Sequence, residues 1–413
     1  MDKHVKTEKT APQTPWGLVL FLVGAGVVGA FQVGKAPPAL PVMRPELHLS
    51  LFAASWVLSI FNVIGAVTGI IIGAVADWAG HRRFILSGIC FMALGSLLGA
   101  LSPNAQVLLT SRFIEGIGFF FAAAAVPTLI VRTVHPDQLR MALGIWSGYI
   151  PAGMAVMMVL APFLIKAFGW RGLWISNTVI LLIFGILLAL ATKGLGRGVS
   201  SKIGGIREPL LNIKKTLSRP GPIVLATCFI TYTLQWMAVM GFLPTFFMEE
   251  LGLTQGRAAA LTAVIVAVNF LGNLSGGWLL QKNMPRWSLV ATGIFVMSLS
   301  TLGIYSAAIP DILRFILCLM FSGISGVIPA AILSGAPVHA PEPHLVGTTN
   351  GLILQGSNTG HLIGPPVLAL IVGTTGGWQG APWLFMISGF VGLMLALVIR
   401  RIEGPGKSIG RKA

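Results

Sequence analysis

The chain has 413 residues, 55% hydrophobic and only 10% charged, with a mean hydropathy of +0.85. A soluble domain carries about a quarter charged residues, so most of this surface faces something other than water. The net charge of +16 would suit nucleic acid, but the lysines and arginines lie in short gaps between apolar runs, so the partner expected is the lipid bilayer and no nucleic acid.

Runs of about 20 apolar residues, enough to cross a bilayer, recur from end to end. After a polar segment 1–15, the first covers 16–43. It holds Gln32 and Lys35, three apart and so on one helix face. Lys35 stands 19 residues after Trp16, about 28 Å along a helix, which is the outer interface if the helix is straight. Apolar sequence continues to Met43 through Pro37, Pro38 and Pro41, so a long bent helix that keeps Lys35 nearer a central cavity is expected. The second run, 50–76, carries Asn62. The next four, 84–101, 105–131, 141–166 and 172–193, carry Arg112 and Glu115, again three apart, and Tyr149. A stretch rich in Gly, Ser and basic residues, 194–221, then separates six further runs at 222–248, 255–281, 287–308, 311–338, 347–374 and 380–399. Their polar and aromatic members include Thr231, Tyr232, Thr233, Gln235, Trp236, Asn269, Asn273, Gln355, Asn358 and His361. The domains expected are a bundle over 16–193, a linker over 194–221, a second bundle over 222–402 and a tail over 403–413.

These runs are continuous, unlike the alternating strands of a membrane barrel. The first is too long for a cleavable signal and lacks a small-residue cleavage site. Cys90, Cys228 and Cys318 all fall within helices, which supports neither a disulfide framework nor a metal cluster. Of the 28 lysines and arginines, 21 fall in segments that alternate to one side, five on the other side, and Lys35 and Arg112 within helices. By the positive-inside rule both termini and the central linker are cytoplasmic.

The two sets of six runs also repeat. Asn62-Val-Ile-Gly65-Ala-Val-Thr68-Gly69 returns as Asn269-Phe-Leu-Gly272-Asn-Leu-Ser275-Gly276, shifted by 207 residues, and Gly88-Ile89 with Met92 returns as Gly293-Ile294 with Met297, shifted by 205. The turn Gly169-Trp170-Arg-Gly-Leu-Trp174 returns as Gly377-Trp378-Gln-Gly-Ala-Pro-Trp383. Six helices per half give both halves the same orientation, a parallel repeat about an axis along the membrane normal.

Between the second and third runs lies Gly73-Ala-Val-Ala-Asp77-Trp-Ala-Gly80-His-Arg82-Arg83. Gly73 permits close helix approach, Asp77 can act at a helix terminus, Gly80 allows a tight turn, and Arg82 and Arg83 anchor the loop. This pattern resembles the signature loop of the major facilitator superfamily. The resemblance implies an all-α integral membrane protein, with about twelve transmembrane helices in two six-helix pseudo-symmetric bundles. It also implies that Gly73, Asp77, Gly80, Arg82 and Arg83 form a conformational gating loop, in which Asp77 latches the outward-facing state. Trp78 and His81 depart from the family's basic residues. Arg112-Phe-Ile-Glu115-Gly116-Ile-Gly118 resembles the family's R-x-x-x-G-x-G pattern, whose arginine is buried near the cavity and linked to proton coupling. Gly144-Ile-Trp-Ser-Gly148-Tyr-Ile-Pro151-Ala-Gly153 carries half of the antiporter motif. Gly356, Gly360 and Gly364 space glycines every four residues, a face for close packing, before Pro365 and Pro366, where a bend is expected. The Gly-Trp-Arg-Gly turn and the proline-rich exit from the first helix are similar to the cyanate and nitroimidazole permease branch.

In that architecture helices 1, 4, 7 and 10 line a cavity, helped by 2, 5, 8 and 11. The substrate-binding candidates are Gln32, Lys35, Asn62, Arg112, Tyr149, Gln235, Trp236, Asn269, Asn358 and His361, with Arg112 and Glu115 for charge pairing or proton coupling. Each has a plainer reading: the asparagines bridge helices, His361 is a hydrogen-bonded helix residue, Trp236 packs and Arg112 snorkels. Glu115 neutralises one of two cations, leaving one net positive charge. A lone buried ammonium is costly, so it deprotonates or meets an anion. The function expected is a secondary active transporter, symporter or antiporter, moving a small organic anion. It is expected to be a monomer in the bacterial inner membrane, without metal or cofactor, and not an enzyme. Efflux of drugs or metabolites and a non-transporting receptor on the same fold are the alternatives.

Overall fold

The computed structural model of the chain describes residues 14–193 and 207–404, and the side chains among them apart from those of 72–79, 136, 140 and 207–209. Among the described residues all regular structure is helical. The spans are α1 (Trp16–Glu46), α2 (51–79), α3 (His81–Ala100), α4 (Ala105–Thr133), α5 (139–168), α6 (170–191), α7 (Pro220–Leu251), α8 (Gln255–Gln281), α9 (Arg286–Ile304), α10 (Asp311–His339), α11 (Val346–Thr375) and α12 (Ala381–Glu403). A short helix, Arg207–Leu217, precedes α7.

Among the described residues ten helical segments are long and apolar enough to cross a membrane, and one of them, Tyr149–Ala191, is two spans. Gly169 breaks it, with φ 69° and ψ 176°, a left-handed backbone that glycine reaches without a Cβ penalty. α11 adds the twelfth, its hydropathy diluted by Gln355, Asn358 and His361. The same device makes the turn from α2 to α3 at Gly80, φ 82°. α2 starts at Ser50, whose hydroxyl accepts from the Ala53 N–H at 3.1 Å, and α4 starts at Asn104, whose side chain accepts from Val107 at 3.0 Å. Both satisfy amides that a helix start leaves unpaired.

α1 is two helices, Trp16–Gly34 and Ala36–Glu46, that meet at Lys35. Pro37 and Pro38 follow directly, and a proline supplies no N–H to the turn before it. The span runs three residues beyond the expected end at Met43, because Glu46 is tied to the turn before α6. α9 stops at Ile304 rather than 308, where α10 approaches and Ile309 and Leu317 pack over Gly303.

Within the first half α1 packs on α5, α3 on α4 and α6, and α2 on α4. The second half repeats these contacts with α7 on α11, α9 on α10 and α12, and α8 on α10. The halves meet along two seams, α2 with α11 and α5 with α8, while the second part of α1 lies on α7 and α8. Exchanging the halves turns one seam into the other, as a pseudo-two-fold repeat requires. Glycines set the closest approaches: a Cβ on Gly356, Gly360 or Gly364 would come 2.3, 2.6 or 2.3 Å from the carbonyl oxygens of Ala226, Ile230 and Leu234 on α7. Without hydrophobic drive between helices in lipid, such backbone contact carries the packing.

Twelve spans return the chain to the end of the bundle at which it started. That end is called terminal below, and the opposite one distal.

Candidate functional site

Lys35, where the two parts of α1 meet, keeps a helical backbone, φ −73° and ψ −28°, and points into the bundle. Its side chain is 0% exposed, and Nζ donates to Gln32 Oε1 at 2.6 Å, Ser96 Oγ at 2.8 Å and Glu115 Oε1 at 2.7 Å. Three acceptors match the three N–H bonds of an ammonium. The indole ring of Trp174 lies 4.5 Å from Nζ, close enough for a cation–π contact. Glu115, also 0% exposed, uses its other oxygen to accept from Arg112. Arg112 further donates to the carbonyls of Val57 at 2.9 Å and Gln32 at 2.8 Å and lies 4.8 Å over the Phe61 ring.

Behind this triad the bonds continue. Gln32 Nε2 donates to Asn177 Oδ1 at 3.2 Å, Asn177 donates to the Leu173 carbonyl at 2.9 Å, and Ser96 donates to the Trp174 carbonyl at 2.9 Å. Four helices, α1, α3, α4 and α6, thus hold two cations around one carboxylate. Each group is hydrogen-bonded, which offsets the cost of removing it from water, and the cluster holds two basic side chains for one carboxyl group.

Gln32, Lys35, Arg112 and Glu115 are therefore one cluster inside the first half. The remaining candidates lie elsewhere. Asn62 donates to the Ser59 carbonyl at 3.4 Å, and Ser59 reaches the His361 carbonyl across the α2–α11 seam at 3.5 Å. The rings of His361 and Trp236 stand 6.2 Å apart, and the Asn358 amide sits against Gly65, where a Cβ would come within 2.6 Å of it. These five line one seam. Gln235 donates to the Thr231 carbonyl at 3.1 Å and accepts from Ser298 at 3.0 Å, and Asn269 donates to the Ser322 carbonyl at 2.8 Å and Tyr232 Oη at 3.3 Å, all inside the second half. Tyr149 stacks on Trp146, 4.1 Å between centroids and 15° between planes.

At the terminal end Arg82 donates to the carbonyls of Thr192 and Ala189, both at 2.9 Å, closing the end of α6. Arg83 is exposed. Gly73 and Asp77 belong to α2, in the stretch 72–79 whose surroundings lie outside what the structure describes. In the second half Arg286 starts α9 as Arg82 sits at the start of α3, and it pairs with Glu403 at the end of α12, which also takes His339 Nε2 at 2.9 Å.

The distal end holds a pair of clasps that the sequence reading missed. Glu46 accepts from Trp170 Nε1 at 2.6 Å and pairs with Arg171, whose guanidinium lies 4.3 Å over the Trp170 ring. Glu249 accepts from Trp378 Nε1 at 3.1 Å and pairs with Arg44 at 2.7 Å. The turns were visible as a repeat. The glutamates at the ends of α1 and α7, 203 residues apart, carried the same signal.

Residues 18–365 match the family model described as Major Facilitator Superfamily. The chain is 21% identical over 415 residues to the hexuronate transporter of Bacillus subtilis (strain 168), covering 96% of this chain and 97% of that one. It is 25% identical over 320 residues to the tetracenomycin C resistance and export protein of Streptomyces glaucescens, covering 72% of this chain and 58% of that one. Its fold is similar to the crystal structure of a bacterial homologue of the human lysosomal transporter Spinster in an inward-facing, unoccupied conformation. The TM-score is 0.78 at 16% identity, over 95% of this chain and 97% of that one.

Proposed function

Because the chain belongs to the Major Facilitator Superfamily, and is thus a membrane transporter of small molecules and not an enzyme, we propose that its cargo is a small organic anion carried by proton-coupled symport or by exchange. The observation that carries this reading is the excess cation: Lys35 and Arg112 share the single carboxylate of Glu115. In the described state every N–H of Lys35 is engaged, so a substrate carboxylate binds only when Glu115 lets go. A proton taken up by Glu115 removes the charge that holds Lys35, and the substrate carboxylate takes its place. When both leave to the same side, the original pairs re-form. One proton and one monoanion then cross together, and the cluster ends as it began. The hexuronate relative, matched over nearly the whole chain, supports a carboxylate cargo.

In this reading residues 16–193 and 222–402 act as two bodies that rock along the α2–α11 and α5–α8 seams, with 194–221 as linker. Alternating access about a site between repeats has this form. The seam residues Asn62, Asn358, His361 and Trp236 contact the neutral part of the cargo, while Gln235, Asn269 and Tyr149 shape the walls behind it. Gly73, Asp77, Gly80, Arg82 and Arg83 gate the terminal end. The protein works as a monomer in the bacterial inner membrane with both termini cytoplasmic, as the distribution of lysine and arginine favours.

The test is uptake of labelled sugar acids and short carboxylates by proteoliposomes holding the full chain, with and without an imposed pH gradient. Uptake that follows the gradient and disappears in Lys35→Ala, with the elution profile intact, is the expected result. Undiminished uptake in Lys35→Ala would overturn the anion site. Efflux is the second reading, favoured by the aromatic Trp236–His361 seam and the exporter relative. Competition by lipophilic compounds rather than carboxylates selects it, and binding without flux selects a receptor.

A further inference from the structure

The short helix Arg207–Leu217 has two unlike faces. At 3.6 residues per turn, Leu210, Lys214 and Leu217 share one side, flanked by Leu211 and Lys215. All five are exposed, the leucines by 58, 49 and 45% for Leu210, Leu211 and Leu217. The opposite side is turned to the protein: Thr216 is 0% exposed, and Asn212 and Ile213 are half-buried. The helix packs on α2, α7 and α11, so it touches both halves at the terminal end. Lys215 pins it further through Glu342, 2.8 Å away on the α10–α11 connection, and that hydrogen bond holds the Glu342 carboxyl below the usual range.

Chain length keeps the helix close to the membrane-spanning segment that follows it. Leu217 stands three residues before Pro220, where α7 begins, at most about 10 Å of extended chain, a reach comparable with the headgroup layer of about 5–8 Å on each side of a hydrocarbon core of about 30 Å. Lys214 and Arg219 are exposed beside the leucines, and Arg83, Arg400 and Arg401 add positive charge at the same end. A helix whose outer face combines leucines with lysines long enough to reach the headgroups, Lys214 among the leucines and Lys215 at their edge, is a form that lies in a membrane interface and favours anionic lipid.

We infer that the helix Arg207–Leu217 is a lipid-docking element, with its leucines set into the headgroup layer and Lys214 and Arg219 on anionic phospholipid. Because it contacts α2 of one half and α7 and α11 of the other, its hold on the membrane acts where the halves must part.

The test uses the full chain with Cys90→Ser and a spin label at Leu211→Cys, in nanodiscs of phosphatidylcholine alone or with phosphatidylglycerol added. The label should be open to lipid-dissolved oxygen and shielded from a water-soluble nickel chelate. Phosphatidylglycerol should increase the shielding several-fold, and the double variant Lys214→Gln, Arg219→Gln should abolish that increase. A label at Asn212→Cys, facing the bundle, should stay immobile throughout, which shows that the helix remains docked. Free access of the nickel chelate to position 211 in both lipids would overturn the inference, as it would for a helix awaiting a soluble partner. Shielding that ignores phosphatidylglycerol would equally overturn the anionic-lipid assignment.

Discussion

Glu115 holds two basic side chains that have no access to water, so the excess cation proposed for the cluster is directly testable. Removing one member of a buried ion pair costs about 3–5 kcal/mol, because the charge left behind is uncompensated. Glu115→Gln strands both Lys35 and Arg112 and should lower the melting temperature sharply in detergent, read by size-exclusion after heating. Lys35→Met does the opposite to the balance: Glu115 and Arg112 remain as a neutral pair, so melting should stay level or rise while carboxylate uptake is lost. If the two variants melt alike, the cluster does not carry the excess charge ascribed to it. Four residues of this cluster were legible in the sequence, since Gln32 with Lys35 and Arg112 with Glu115 each sit three apart on a helix. Ser96, Trp174 and Asn177 were not. Each bonds to a residue 61 to 145 positions away, and a single serine or asparagine in an apolar run carries no spacing to mark it.

Among the helices, α7 and α11 depend on glycine most plainly. In Gly364→Ala the new Cβ would lie 2.3 Å from the Leu234 carbonyl oxygen, so the helices must separate, and overpacking of this kind costs about 1–3 kcal/mol. Gly373→Ala, later on the same helix with nothing within 4 Å of its Cβ, should be neutral or slightly stabilising, since alanine is the better helix former. A thermal melt of both variants checks the contrast, and equal losses would mean that the spacing every four residues does not make the contact. The spans themselves were readable because hydropathy reports which segments leave water. Their ends were less so: helix termini follow caps and tertiary bonds, as at Ser50, Asn104 and the Glu46–Trp170 contact, rather than the last apolar residue.

At the scale of the whole molecule, the distal clasps differ in one respect that sets how the halves are joined. The first is closed by its own arginine, Arg171, whereas the matching position of the second turn is Gln379, and Glu249 takes Arg44 from the other half. Arg44 and Glu249 are 25% and 43% exposed, and pairs of that kind contribute about 0.2–1 kcal/mol, enough to move a two-state balance up to about fivefold. Alternating access requires this end to part, so Glu249→Gln should raise the labelling of distal-seam cysteines, such as Leu58→Cys, by a factor of that order. One residue decides whether the second clasp is an internal brace or a gate: with Gln379 in its turn, Glu249 has no arginine there and is closed by Arg44 across the boundary between the halves. In Gln379→Arg Glu249 is satisfied within its own half, Arg44 is released, and the distal end should open more readily than in the natural chain.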